Sequence, residues 1–132
     1  MKTLEAIERE LEADAPDLLS LAEGVLENWV AARGETPTLE RQEGFRLLAL
    51  HRQGARGVPS FNACRETCRE IAYHRNLLDA EPGSGDAERR RRMMAFLVRH
   101  LLLFVSGKLQ VEGLGEFCCA SRPLRQESPQ PF

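Results

Sequence analysis

Two cysteines one helical turn apart are the first residues in this chain whose type and spacing suggest chemistry. Cys64 and Cys68 are separated by three residues, so on a helix both thiols project from one face. Such a pair supplies two of the four soft ligands that zinc, copper(I) or iron needs. His74, six residues after Cys68, lies elsewhere around the helix and does not complete the set. Because free cysteine is among the most buried residue types, packing is the favoured interpretation, and we expect no bound metal or cofactor.

Two further residues, Arg75 and His100, occupy predicted apolar faces. A guanidinium buried there without a partner would be costly, so Arg75 needs a carboxylate from the acidic N-terminal helix, access to solvent, or an anionic ligand. His100 interrupts the apolar run Met93–Val105 and is predicted to point inward, beside Phe96 and Phe104. An inward histidine is more often a core residue with one hydrogen bond than a ligand. Arg75 and His100 are therefore the candidate ligand-binding residues.

Four consecutive arginines, Arg89 to Arg92, precede the apolar run. On a helix they point in all directions and cannot all face one groove of a nucleic acid, and the nearby aromatic residues are predicted to be buried. We therefore expect a solvated face paired with Glu23 and Glu27, or a contact with another protein. Cys118-Cys119 is left open between packing, metal binding and redox chemistry.

Sequence motifs for catalysis are missing. The chain has no G-x-S-x-G, no phosphate-binding P-loop, no H-E-x-x-H and no paired Glu-x-x-His of the di-iron bundles. The sequence therefore predicts a protein that is not an enzyme.

The elements that position these residues are predicted to be helices. The fold class is all-α, an antiparallel bundle of four main helices, because apolar residues recur at intervals of three and four and the connecting loops are short. The predicted helices are residues 3–32 (kinked or split at Asp14–Pro16), Thr36-Pro37 to Gly54, Ser60 to Leu78, and Ala87 to Ser106.

The ends of these elements carry further expectations. His51, in the last turn of the second helix, is expected to be solvated. After Ser106 the C-terminal segment is irregular, with Leu109 and Val111 alternating like a short strand. We predict one helical domain over residues 1–120 and a disordered tail over residues 121–132.

Composition limits the class of protein. With 42% hydrophobic and 29% charged residues, the chain resembles a soluble globular protein, and its net charge of −2 gives no overall attraction to nucleic acid or membranes. The N-terminal segment has no apolar core typical of a signal peptide, and the 13 residues Met93–Val105 are too few to span a bilayer. We expect a cytoplasmic protein that does not interact with membranes.

The function predicted from these features is protein–protein interaction, regulatory or adaptor-like, by a homodimer. Its motivation is apolar surface that four short helices would not fully bury. The predicted interaction surface comprises Tyr73, Leu77, Arg89, Arg90, Arg91 and Arg92. The alternative is a small-molecule or metal/redox sensor with its site between the third and fourth predicted helices, at Cys64, Cys68, Arg75 and His100. Nucleic-acid binding through the arginine run is the third hypothesis.

Overall fold

Five α-helices and one 3₁₀ helix make up a computed structural model that describes residues 1–113. They are α1 Leu4–Leu11, α2 Leu18–Ala32, α3 Arg46–Ala55, the 3₁₀ helix Pro59–Cys64, α4 Arg65–Ala80 and α5 Ala87–Glu112. The all-α class is confirmed for this part of the chain, which contains no β-strand. The antiparallel bundle of four main helices is not confirmed, because this part of the chain has five α-helices, the predicted first helix being split in two. Cys118-Cys119 and the predicted tail, residues 121–132, lie outside the described residues.

The split at the N-terminus follows from local capping. The Thr3 hydroxyl accepts a hydrogen bond from the Ala6 amide at 3.1 Å and starts α1. The Asp17 carboxylate accepts one from the Ser20 amide at 3.2 Å and starts α2. Pro16 between them lacks an amide hydrogen and cannot continue an α-helix without losing a hydrogen bond. The alternative of one kinked helix is therefore excluded.

The prediction that the next helix begins at Thr36-Pro37 is wrong, because α3 begins at Arg46, ten residues after Thr36. The intervening segment is a loop held by the side chain of Gln53 in α3. The Gln53 amide nitrogen donates to the Thr36 carbonyl at 2.9 Å, and its oxygen accepts from the Thr38 amide at 2.9 Å. Gly44, with φ of +85°, adopts a left-handed conformation that an α-helix does not contain.

The long helix α5 continues past the predicted end at Ser106 to Glu112. The short strand predicted around Leu109 and Val111 is wrong, since both residues are helical and Leu109 faces the core. Gly113 ends the helix in the left-handed conformation, with φ of +70°. By length and composition α5 could cross a membrane, but the core helix of a water-soluble protein meets the same criteria.

The centre of the core is an aromatic stack between α2 and the 3₁₀ helix. The Trp29 and Phe61 rings lie parallel with centroids 4.8 Å apart, and both side chains are fully buried. The Trp29 indole nitrogen donates to the carbonyl of Gly54 in α3 at 2.9 Å. A Cβ atom at Gly54 would lie 2.7 Å from Trp29 Cδ1 and 3.1 Å from Phe61 Cε2. Glycine is therefore required where α3 meets the stack.

We expect Gly54→Ala to lower the free energy of unfolding by about 1–3 kcal/mol, because the added methyl group overpacks a core that cannot shift cheaply. The matched control is Gly85→Ala in the loop before α5, where no neighbouring atom of the described residues lies within 4 Å of the added carbon. There the smaller conformational freedom of the unfolded chain should raise the free energy of unfolding by up to about 1 kcal/mol. Urea denaturation of both variants would test this; equal effects would contradict the close approach at Gly54.

Candidate functional site

A buried thiol pair lies beneath the junction of the 3₁₀ helix and α4. Cys64 is the last residue of the 3₁₀ helix and Cys68 lies in the first turn of α4, and both are free cysteines. The Cys64 thiol donates to the Phe61 carbonyl at 3.3 Å, and Nε2 of His51 lies 3.1 Å from the same oxygen. His51 is only 5% exposed, so the prediction of a solvated histidine is wrong. The sequence did not indicate that His51 meets the cysteines.

The charges of the two thiols are strongly linked. The pKa of the Cys64 thiol is lowered to about 6, and the largest cause is a hydrogen bond from Cys68. Burial raises the pKa of Cys64, but the hydrogen bond from Cys68, a hydrogen bond with His51 and the positive charge of His51 together outweigh it. The same hydrogen bond, burial and the neighbouring thiolate raise the pKa of Cys68 well above its usual range. Cys64 is therefore the more acidic of the two thiols. Its ionisation would remove the hydrogen bond that it donates to the Phe61 carbonyl and give the thiolate, the form that a nucleophile or metal ligand requires. Residues 1–113 nevertheless contain no cluster of three or more metal-ligating side chains.

A pocket of about 390 Å³ opens beside His51, between α3 and the start of α4. It is lined by Gln42, Leu48, His51, Arg52, Ala55, Arg56, Asn62, Arg65 and Arg69. Of the four arginines, Arg69 forms an ion pair with Glu43 at 3.2 Å, which lowers the pKa of that carboxyl. The other three have no carboxylate within 4.0 Å among residues 1–113. We call this feature the arginine pocket.

Sequence reasoning missed the arginine pocket, although a signal exists. Arg52 and Arg56 are four residues apart at the end of α3, and Arg65 and Arg69 are four apart at the start of α4. Arg65 and Arg69 therefore project from one side of α4, whereas Arg56 follows the last residue of α3 in an extended conformation. Only the packing of the two helices reveals that both pairs line one cavity.

The two residues predicted to bind a ligand lie apart from this pocket. His100 is exposed on α5, so the prediction that it points into the core is wrong. Arg75 is half-buried, and its Nε donates to both carboxylate oxygens of Asp79, at 3.1 and 3.2 Å. Its partner therefore comes from its own helix and not from acidic α1. The structure does not assemble Arg75 and His100 with the thiols of Cys64 and Cys68.

The arginine run, Arg89–Arg92, forms ion pairs within its own helix. Three of its members lie 3.1–3.8 Å from acidic residues at the start of α5. Burial and the positive charge of the fourth, Arg90, lower the pKa of His74. The predicted pairing with Glu23 and Glu27 is wrong, because both carboxylates contact Arg46, at 3.5 and 2.5 Å.

One side of α5 carries a row of exposed apolar side chains, which we call the α5 outer stripe. Its exposed apolar members are Met93, Phe96, Leu103 and Val111. The exposed His100 and the half-buried Gly107 lie between them, at successive spacings of three or four residues. Phe96 is 66% exposed and Leu103 is 64% exposed. On α4, Tyr73 is exposed and Leu77 is half-buried.

No protein-family model, curated protein or solved structure matches this chain.

We expect the thiolate absorbance of a Cys118→Ser/Cys119→Ser background to appear with a midpoint near pH 6, since the pKa of Cys64 is about 6. Cys64→Ala should abolish this step, and Cys68→Ala should move it to higher pH by removing the main hydrogen bond. Because the folded pKa lies below the unfolded value of about 9, ionised Cys64 stabilises the fold at high pH, and this contribution is lost as the pH falls through 6. A midpoint near pH 9 in the Cys118→Ser/Cys119→Ser background would contradict the hydrogen bonds of Cys64 with Cys68 and His51.

Proposed function

We propose that this protein acts through protein–protein contact, and that its first partner is a second copy of the same chain. The observation that supports this is the α5 outer stripe, a row of exposed phenylalanine, leucine, methionine and valine along a helix of 26 residues. The opposite side of α5 packs in the core, through residues such as Leu101 and Val105. Contiguous apolar surface of this kind marks interaction sites in soluble proteins.

The spacing of the stripe suits a partner helix. Along the stripe the spacing alternates between three and four residues, through Met93, Phe96, His100, Leu103 and Gly107. The average spacing is 3.5 residues, the repeat that keeps one side of a helix facing a partner helix. Two copies of α5 would form such a seam without any rearrangement of the core.

Antiparallel pairing of two α5 helices gives a self-complementary contact. If His100 lies near the two-fold axis, Phe96 of one copy packs against Leu103 of the other. The long side chain of Met93 then lies opposite Gly107, where no atom of another element among residues 1–113 is within 4 Å of an added Cβ. In a two-fold symmetric interface the same patch must fit itself. Pairing a large side chain with a small residue, and an aromatic side chain with an aliphatic one, meets this requirement.

Charge favours the same orientation. The arginine run lies at the N-terminal end of α5, where positive charge opposes the helix dipole. In an antiparallel pair these arginines lie beside the C-terminal end of the partner helix, whose free carbonyl groups carry partial negative charge. A parallel pair would instead place two arginine runs side by side. These points support an antiparallel dimer.

We propose a regulatory or adaptor-like role for this dimer. Tyr73 and Leu77 lie on α4, outside the stripe, and leave a second surface for a different protein after the two copies have paired.

We expect the chain to sediment at micromolar concentration as a dimer of twice 14.9 kDa. Phe96→Glu/Leu103→Glu should produce a monomer, with the dissociation constant raised at least ~100-fold, because symmetry removes each buried apolar side chain twice. The matched control is Leu39→Glu/Tyr73→Glu, which also replaces two exposed apolar residues and should remain dimeric. A monomeric parent chain, or equal effects of the two double variants, would contradict the proposal.

Gly107→Leu separates folding from association. Leucine has a higher helix propensity than glycine, and its Cβ meets open space among residues 1–113, so we expect the monomer to unfold at higher urea concentration. The same side chain fills the position facing Met93 of the second copy, so the dimer should weaken at least ~10-fold. Unfolding at low concentration and sedimentation at high concentration give the two readouts; an unweakened dimer would exclude the antiparallel register.

A further inference from the structure

We propose that the arginine pocket binds a small molecule that carries a phosphoryl group. This inference is independent of the proposed dimer, since α5 contributes no residue to the pocket lining. It rests on the local charge, the position of two arginines on α4, and the chemistry of the lining.

The local charge of the pocket is opposite to that of the whole chain. Its four lining arginines are offset by one ion-paired carboxylate, that of Glu43, which leaves a local charge of +3 in a chain of net charge −2. Arg52, Arg56 and Arg65 have no ion pair within the described part of the chain. Mutual repulsion of these cations disfavours the empty pocket, and a multiply charged anion would relieve it.

The placement of Arg65 and Arg69 strengthens this argument. They lie in the first turns of α4, where a positive charge opposes the helix dipole. Both residues nevertheless line the cavity whose wall includes Arg52 and Arg56 from the end of α3, although the Arg69 guanidinium itself is held by Glu43. Cations from two elements thus converge on one concave space.

The chemistry of the lining favours a phosphoryl group on a small molecule. Guanidinium groups bind phosphate oxygens through paired, charge-assisted hydrogen bonds. A volume of about 390 Å³ lies within the range of small-ligand sites, and Leu48 and Ala55 give the wall an apolar part for the rest of the ligand. Asn62 and the buried His51 add polar groups. An extended nucleic acid would instead need a continuous basic track.

Calorimetric titration with pyrophosphate at low ionic strength tests this proposal. We expect saturable 1:1 binding to the parent chain, and Arg52→Gln/Arg65→Gln should weaken it at least ~10-fold through the loss of two guanidinium contacts. Arg89→Gln/Arg91→Gln removes the same charge from exposed positions on α5 and should change the affinity less than ~2-fold. Sedimentation of Arg52→Gln/Arg65→Gln should show the oligomeric state of the parent, which separates this result from the proposed dimer.

Three outcomes would overturn the proposal. Absence of pyrophosphate binding would exclude a phosphoryl site, and equal weakening in both double variants would show attraction to overall charge. Binding of a single-stranded oligonucleotide that outcompetes pyrophosphate at the same arginines would show an extended polyanion site in place of a small-molecule pocket.

Discussion

The close approach of α2 and α3 at Gly54 is the constraint on which the rest of the structure depends. Because Gly54 has no side chain, the Trp29 ring can lie against α3 and hydrogen-bond to its carbonyl. Trp29 then stacks on Phe61, which fixes the 3₁₀ helix against α3. The Phe61 carbonyl in turn meets both His51 and the Cys64 thiol. Gly54 therefore determines how α3, which carries His51, meets the 3₁₀ helix, which carries Phe61 and Cys64.

The elements that sequence predicted correctly are those governed by local rules. The caps at Thr3 and Asp17 each depend on a side chain and an amide three residues away, and such patterns are visible in one dimension. The loop before α3 depends instead on Gln53, which holds Thr36 and Thr38 from more than a dozen residues away. The helix-start signal at Thr36-Pro37 cannot reveal these hydrogen bonds from a distant residue, so the helix was predicted to begin too early.

The histidines show why the site was harder to predict than the fold. A helix as uniformly apolar as α5 has no inner side of its own, because its neighbours decide which face is buried. His100 was assigned to the core on that helix and is exposed, whereas His51 was assigned to solvent and is 5% exposed. Both errors concern tertiary packing. Both cysteines are buried, as their residue type suggested, although Cys64 lies in the 3₁₀ helix and only Cys68 lies in α4.

The α5 outer stripe and the arginine pocket both result from how the helices pack. One side of α5 packs in the core, and the outer stripe is the apolar surface that remains exposed. The arginine pocket arises where α3 and α4 bring two pairs of cations together, Arg52 with Arg56 and Arg65 with Arg69. Since α4 packs on both α3 and α5, it lies between the pocket and the stripe. Self-association and anion binding can therefore be altered separately by surface substitutions, while a change in the position of α4 would affect both.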